Sequence, residues 1–394
     1  MMLKLPKDVE FILDRIHENG YEAFVVGGPT RDMLRGVVPH DYDITTSAVP
    51  EKIKEIFSDK RTIDTGIAHG TVTLILSDTP YEITTYRIDG EYLDARHPSG
   101  VSFCENIALD LERRDFTVNA IAYNPRVGIV DTTGGTEDIK NRIIRCVGSP
   151  DVRFSEDALR ILRAVRFSST LGFEIEEGTA NAVLSLYKTL LLVSRERVYT
   201  EIKKMLAGEF LSSVIDKFLP VLALFFPEWE KIESPSRYVK GSDDFLVNLI
   251  TLFAVAGADA EIYAERMKAL RADGATIRAG MAVLSALERH SLTSREGVIL
   301  ALLELGEEYT ELLIKLARSV SPDTVADGIE LSDIIKSVPH TLRELRVSGS
   351  DLSPLGFVGA EIGKTLSALL RSAALGEVEN EKEALLKLAK SYKK

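Results

Sequence analysis

A chain of 394 residues exceeds one ordinary domain, so roughly two to four are expected. Hydrophobic content of 45% and charged content of 27% are those of a soluble globular protein, and no window approaches a membrane span. The formal net charge of −12 excludes a surface that attracts nucleic acid everywhere, though not a local basic track.

The N-terminus, Met1 to Pro6, carries no signal-peptide apolar core. Cys104 and Cys146 form neither a disulfide framework nor a zinc spacing, and a cytoplasmic, reducing setting fits them. Val9, Ile12, Leu13 and Ile16 recur at helical spacing and are closed by Gly20, which predicts a helix over 7–19. Phe24-Val25-Val26 reads as a buried strand running into Gly27-Gly28, a turn that can bring backbone N–H groups close to a phosphate. Arg31 and Asp32 open a short amphipathic helix through Leu34. Asp41 and Asp43 then flank Tyr42, and in an extended segment both carboxylates share one face. Two carboxylates near a glycine turn suit Mg²⁺ with a nucleotide; alone, an Asp-x-Asp is more often a solvated strand edge. Thr45-Thr46-Ser47 ends the second strand, and Pro50 starts a helix through Ile56 and Phe57.

Gly66 to Gly70 reads as a loop. The runs 71–76 and 81–87 are strands by β-branched content, joined by a turn at Asp78-Thr79-Pro80 into a hairpin. Glu82 alternates on the second of them, where it is either an exposed strand residue or a third carboxylate facing Asp41 and Asp43. Asp89 to Pro98 is polar and glycine-bearing, a mobile loop by composition. Residues 111–120 read as helical in their second half, with Asp115 and Asn119 one turn apart and able to face a sugar hydroxyl. The Arg113-Arg114 pair offers forked donors that suit phosphate oxygens. Gly134-Gly135-Thr136 with Asp138-Ile139 closes the sheet-bearing part.

Arg153 to Phe167 predicts a helix starting near Ser155, with Asp157, Arg160 and Arg163 sharing one face at i, i+3 spacing and Arg166 extending it. Asp157 supplies acceptors and Arg160 donors, which together match the Watson–Crick edge of cytosine or adenine. A salt bridge on a solvated helix is the plainer reading. Further helices begin near Leu171 and at Ser194 to Val198. Cations cluster along this half, at Arg113, Arg114, Lys140, Arg142, Arg145, Arg160, Arg163, Arg166, Arg195, Arg197, Lys203 and Lys204. Beyond Gly208 the apolar runs keep helical lengths without a fixed repeat. His290 and His340 have no neighbouring Asp, so a phosphohydrolase-type metal cluster is not expected.

Gly27 to Ser47 resembles the signature of polymerase β-type nucleotidyltransferases, in the branch of class II tRNA nucleotidyltransferases (CCA-adding enzymes) and bacterial poly(A) polymerases. Arg113 to Ala120 is similar to that branch's Arg-Arg-Asp-x-Thr-x-Asn-Ala motif, and Glu156 to Arg160 to its Glu-Asp-x-x-Arg motif. The resemblance implies an α+β fold: an N-terminal polymerase β-like head (mixed β-sheet with helices) over 1–139, then an all-α neck (140–207), body (208–270) and tail (271–394). It implies template-independent addition of C, C and A to the tRNA 3′ end from CTP and ATP. Asp41 and Asp43 would hold Mg²⁺, with Glu82 as a further ligand or the base. Gly28, Arg31 and Arg114 would position triphosphate, Asp115 and Asn119 would test the ribose, and Asp157 and Arg160 would choose the base. Arg163 and Arg166 are further nucleotide contacts. The implied partners are CTP, ATP and tRNA, gripped at its acceptor stem, 3′ end and elbow, with no membrane.

Within the resemblance, the segment near Asp89 is similar to the flexible loop of CCA-adding and A-adding enzymes. Ser194 to Val198 resembles a motif that braces the nucleotide-binding helix, and Leu345 to Leu352 with Leu375 to Glu383 resembles the tRNA-gripping tail. Thr30 and His40 depart from the usual pattern, in which a small apolar residue precedes Arg31 and Lys or Gly precedes Asp41. An A-adding enzyme restricted to CC-ended tRNA is the alternative, and a poly(A) polymerase is third. A non-catalytic RNA-binding protein on the same scaffold is the reading from another class.

Overall fold

The computed structural model describes residues 3–67, 70–89, 101–239, 243–325, 328 and 330–393. The loop expected at Asp89 to Pro98 therefore lies, past Asp89, outside the described residues, as does His69 of the loop expected at 66–70. The chain divides into two compact units, Met1–Leu224 and Phe225–Lys394.

In the first unit, α1 (Lys7–Glu18) buries Val9, Ile12, Leu13 and Ile16 on one stripe, as their spacing requires. It is followed by β1 (Ala23–Val26), α2 (Gly28–Leu34), β2 (Ile44–Thr46) and α3 (Pro50–Ile56). Next come β3 (Arg61–Gly66), β4 (Thr71–Leu76), β5 (Thr79–Thr85), β6 (Arg87–Asp89) and β7 (Val101–Phe103). The unit continues with α4 (Ile107–Glu112), β8 (Ile121–Asn124), β9 (Gly128–Asp131), α5 (Gly135–Asn141) and β10 (Ile143–Ile144). It ends in α6 (Pro150–Glu156), α7 (Leu159–Leu171), β11 (Glu174–Ile175), α8 (Glu177–Leu186), α9 (Arg195–Leu206) and α10 (Leu211–Ala223).

Seven strands make one mixed sheet in the order β3-β4-β5-β2-β1-β8-β9. β1 lies inside it, antiparallel to both β2 and β8, and is buried on both faces, which explains its unbroken apolar run. Val25 joins the core formed with α1 and α3, including Ile12, Ile16, Ile53 and Phe57. Phe24 and Val26 join a second core with Tyr86, Leu111 and Ala122. The β4–β5 hairpin turns at Ser77 and Asp78, with φ of 47° and 60°, the left-handed pair that fits the twist of a two-residue connection. β3 was not anticipated, because Arg61-Thr62-Ile63-Asp64 lacks an apolar alternation; it extends to Gly66 and shortens the expected loop.

The glycine turn that closes the sheet is held by Asp131, whose carboxylate accepts from the N–H groups of Thr133, Gly134, Gly135 and Thr136. A Cβ at Gly135 would lie 2.0 Å from the Thr117 carbonyl oxygen, so only glycine fits there. α10 packs on α7, α8 and α9, which carries the first unit past Gly208 to Leu224.

The second unit is helical throughout its described residues: α11 (Phe245–Val255), α12 (Ala260–Ala269), α13 (Gly274–Arg289), α14 (Arg295–Val320), α15 (Leu331–Ser337), α16 (Gly349–Leu352), α17 (Ala360–Ala374) and α18 (Lys382–Ser391). α14 is kinked at Gly306, whose φ of 76° interrupts it. The core of this unit includes an aromatic cluster. Trp229 lies 4.3 Å from Phe226 and 5.5 Å from Phe253, ring centre to ring centre, and Phe253 meets Tyr263 edge-on. Trp229 is fully buried and is the only tryptophan of the chain. Its fluorescence is thus expected to follow unfolding of residues 225–394 alone, while circular dichroism follows both units. Trp229→Ala is expected to cost about 3–5 kcal/mol and to lower the melting temperature of that unit, read by circular dichroism.

Candidate active site

The glycine turn is built around a close approach. Gly27 sits at φ 79°, ψ −132°, and a Cβ there would come within 3.3 Å of Nη1 of Arg114. The chain then enters α2 at Gly28. Thr30, at the position expected to be small and apolar, is fully buried, and its hydroxyl donates to the Val25 carbonyl at 2.9 Å. That bond offsets the cost of burying the oxygen and explains why a polar residue is accepted.

The strand registers decide where the carboxylates meet. β2 and β5 run parallel with Ile44 opposite Ile83, so Asp43, the residue that leads into β2, falls one step earlier beside Glu82 of β5. Ile44 and Ile83 point into the core, and period-two alternation puts Asp43 and Glu82 on the other face. Asp43 is fixed by its backbone, the carbonyl accepting from Val26 N–H at 3.0 Å. Although the side chain still reaches solvent, its carboxyl is pushed up to about 6, by the protein crowded around it first and then by the charges of Asp41 and Glu82, with Arg114 pulling the other way. Three carboxylates and one guanidinium thus share a field. Among the described residues no group of three His, Cys, Asp or Glu side chains is close enough to hold a metal ion between them.

Arg31 is buried and held from two sides. Its Nε and Nη2 donate to Asp32 at 3.0 and 3.1 Å, Nη1 donates to Asn119 Oδ1 at 2.7 Å, and the guanidinium lies over the Phe167 ring. Burial lowers its pKa, and Asp32 opposes that shift. Arg114 is held differently: Nη2 donates to Asp110 at 3.1 Å, and its buried Nε has no hydrogen-bond partner. Asp110 was missed in the sequence. An aspartate three and four residues before two arginines on a helical stretch was the available signal, and it reads equally well as a solvated pair.

Asp115 and Asn119 do come together, but not on a helix. α4 ends at Glu112, and only a single 3₁₀ turn, Thr117–Asn119, follows. Asp115 is buried and both its oxygens are used within the protein. Oδ1 accepts from Phe116 N–H and Asn119 Nδ2, and Oδ2 accepts from Arg163 Nε at 2.8 Å. Burial would raise its pKa, but Arg163, Asn119 and Arg160 outweigh that and hold it at about 2. A chain of contacts therefore runs Arg31, Asn119, Asp115, Arg163. It continues to Glu201 of α9, a buried carboxylate 3.9 Å from Arg163 Nη1 and 2.7 Å from Arg166 Nε.

The expected shared helix face of Asp157, Arg160 and Arg163 is corrected. α6 ends at Glu156, Asp157 is extended (φ −143°, ψ 103°), and α7 starts only at Leu159. The cause is local: the Asp157 carboxylate accepts from the Leu159 N–H at 3.1 Å, which caps α7 instead of joining it. Its other oxygen accepts from Arg197 of α9 at 2.8 Å. Arg160 and Arg163 do share a face of α7. Arg160 is buried and donates to Glu156 at 2.6 Å, and Arg153 donates to the same carboxylate at 2.9 Å. Asp157 and Arg160 are each held by an oppositely charged partner.

Two family models match the chain: the Poly A polymerase head domain over residues 23–145, and the probable RNA and SrmB-binding site of polymerase A over 172–231. The chain is 34% identical to the CCA-adding enzyme of Leuconostoc mesenteroides over 393 residues, covering 98% of this chain and 96% of that protein. The CCA-adding enzyme of Enterococcus faecalis is also 34% identical, with 98% and 96% covered. The crystal structure of the Bacillus stearothermophilus CCA-adding enzyme in complex with CTP superposes with a TM-score of 0.79 at 30% identity, covering 98% of this chain and 97% of that one. The Thermotoga maritima CCA-adding enzyme complexed with tRNA-CCA has the same fold, with a TM-score of 0.74 at 21% identity and full coverage of both chains.

Proposed function

The chain belongs to the CCA-adding enzymes, and we propose that it completes the tRNA 3′ end with C, C and A from CTP and ATP, releasing pyrophosphate, through the residues assembled above. The observation that carries the assignment of residues is the parallel β2–β5 register. It sets Glu82 beside Asp43 on the face where Arg114 crowds the Gly27 turn.

The terminal hydroxyl oxygen attacks the α-phosphorus, the bond to the β-phosphate breaks, and pyrophosphate leaves. The donor set fits Mg²⁺: it is all oxygen, and the surrounding protein together with Asp41 and Glu82 keeps a proton on Asp43 up to about 6, a strain a hard cation relieves. Asp41 and Asp43 would hold the ion, which when bound neutralises triphosphate charge and acidifies the attacking hydroxyl. Glu82 stands beside Asp43 to take that proton or to add an oxygen ligand. The N–H of Gly28, where α2 opens, faces phosphate with Arg114, and Arg31 secures the turn from within through Asp32 and Asn119. Asp115 holds Asn119 and Arg163 in place. Asp157 and Arg160 present acceptors and donors to the base, Arg197 and Glu156 keep them oriented, and Arg163 and Arg166 lie alongside. We assign 1–139 as head, 140–207 as neck, 208–270 as body and 271–394 as tail.

The test is incorporation with Mg²⁺ on three transcripts of one tRNA, ending at the discriminator base, at C and at CC, with CTP, ATP or both. The shortest transcript is expected to become a single CCA-ended product. Extension of the CC-ended transcript alone, with ATP alone, would make the protein an A-adding enzyme. Long A tails would place it with the poly(A) polymerases.

A further inference from the structure

Among the described residues, Asp110 is the one fully buried carboxylate beside the candidate site for which this mechanism has no use. It sits in the last turns of α4, and its two oxygens divide the work. Oδ1 accepts from Arg113 Nε and Nη2 at 2.9 and 2.8 Å and from the Arg87 N–H of β6 at 3.3 Å. Oδ2 accepts from Arg114 Nη2 at 3.1 Å and from the Thr45 hydroxyl at 3.4 Å. Thr45 lies two residues beyond Asp43 on β2. One side chain thus ties Arg114 to the strand that begins immediately after Asp43.

One carboxylate faces two guanidiniums, Arg113 and Arg114. The two are held unequally by it. Arg113 makes two bonds to Oδ1, whereas Arg114 makes one to Oδ2, keeps a buried Nε without a partner, and points Nη1 at Gly27. A guanidinium held by one corner and facing a glycine turn is arranged to receive an oxyanion. A carboxylate that merely sealed this junction would have no reason to leave its second arginine under-satisfied.

We propose that Asp110 is a positioning residue for triphosphate recognition, holding Arg114 against the Gly27 turn so that its remaining donors meet phosphate oxygens. The inference rests on the reading of Arg114 as a triphosphate ligand. It predicts that Asp110 acts equally on CTP and ATP, since it touches nothing on the base-selecting side.

The probe is inorganic pyrophosphate with Mg²⁺, titrated calorimetrically into the full-length protein. Asp110→Asn is expected to weaken its binding about tenfold and to raise KM for CTP and ATP by the same factor, with kcat changed far less. Arg114→Ala is expected to weaken it at least as much, and the double variant to be within about twofold of Arg114→Ala, because Asp110 acts through Arg114. Arg113→Lys, which disturbs the same carboxylate from the other oxygen, is expected to lower the melting temperature and leave pyrophosphate affinity within about twofold. Unchanged affinity in Asp110→Asn, or effects that add fully in the double variant, would overturn the proposal. Should Asp110→Asn not fold, Thr45→Val removes the hydroxyl shared between Asp110 Oδ2 and the Thr84 carbonyl and leaves the bonds on Oδ1 in place. A loss of about threefold supports the proposal, and wild-type affinity overturns it. Wild-type affinity in Arg114→Ala would instead defeat the reading of Arg114 itself.

Discussion

Asp43→Asn is expected to reduce nucleotide incorporation by about a thousandfold or more while leaving the protein as stable as the wild type, or slightly more so, at neutral pH. The loss follows from removing a hard anionic ligand that an amide oxygen replaces poorly. The stability follows from the sign of the pKa shift. The Asp43 carboxyl is raised to about 6, by the protein crowded around it and by Asp41 and Glu82. A raised carboxyl means that folding penalises the charged form; because Asp43 is exposed, solvent screens that penalty, and above about pH 6 the ionised group opposes folding only weakly. An uncharged isostere removes that penalty. Incorporation assays paired with melting curves in a chelator check both halves. A variant that lost several degrees of melting temperature would show Asp43 to be structural, and one that retained activity would remove it from the chemistry. This is the pattern of a residue kept against stability for what it binds.

Only part of the expected strand geometry is seen around the carboxylates: Asp41 lies in a bend and Asp43 just before β2, so strand alternation does not relate them, whereas Glu82 lies on β5 and the β2–β5 register sets it beside Asp43. The helical motif was legible in composition but not in geometry. The run from Ser155 to Phe167 has helical periodicity throughout, yet Asp157 prefers to cap α7 with its own side chain, a competition between side chain and backbone that periodicity does not register. Asp110 was silent for a related reason. Its neighbours in sequence, Ala108 to Glu112, read as a surface helix turn, and its burial is decided by Thr45 and Arg87, 65 and 23 residues away. Gly306 falls between two apolar runs, Val298 to Leu305 and Leu312 to Leu316, and α14 spans both with a kink at the glycine.

The second large effect is expected at Asp115, and here stability and function fail together. Asp115→Ala would leave Arg163 with only the more distant Glu201, deprive Asn119 of its acceptor and orphan the Phe116 N–H. Breaking a buried ion pair from one side costs about 3–5 kcal/mol, which in a unit of this size lowers the melting temperature by about 10 °C. Asp115→Asn keeps the shape and removes the charge, so it isolates the electrostatic part. Burial raises the Asp115 carboxyl, but Arg163 and Asn119 more than compensate and hold it at about 2, below its ordinary 3.8. Its contribution is therefore complete above about pH 4 and is lost as pH falls through about 2; the lowered value corresponds to about 2 kcal/mol. In urea unfolding the gap between wild type and Asp115→Asn should be widest at neutral pH and should close on acidification. A gap independent of pH would mean that the carboxylate does not act through its charge. The functional consequence comes from the same bonds. Asn119 holds Arg31 beneath the glycine turn while Arg163 stands on the helix that carries Arg160, so one carboxylate sets the spacing between the phosphate side and the base side. Loss of Asp115 is accordingly expected to raise KM for CTP and ATP together at pH 7. An effect on one nucleotide alone would place it among the groups that choose the base, and not in the frame that holds the two sides in register.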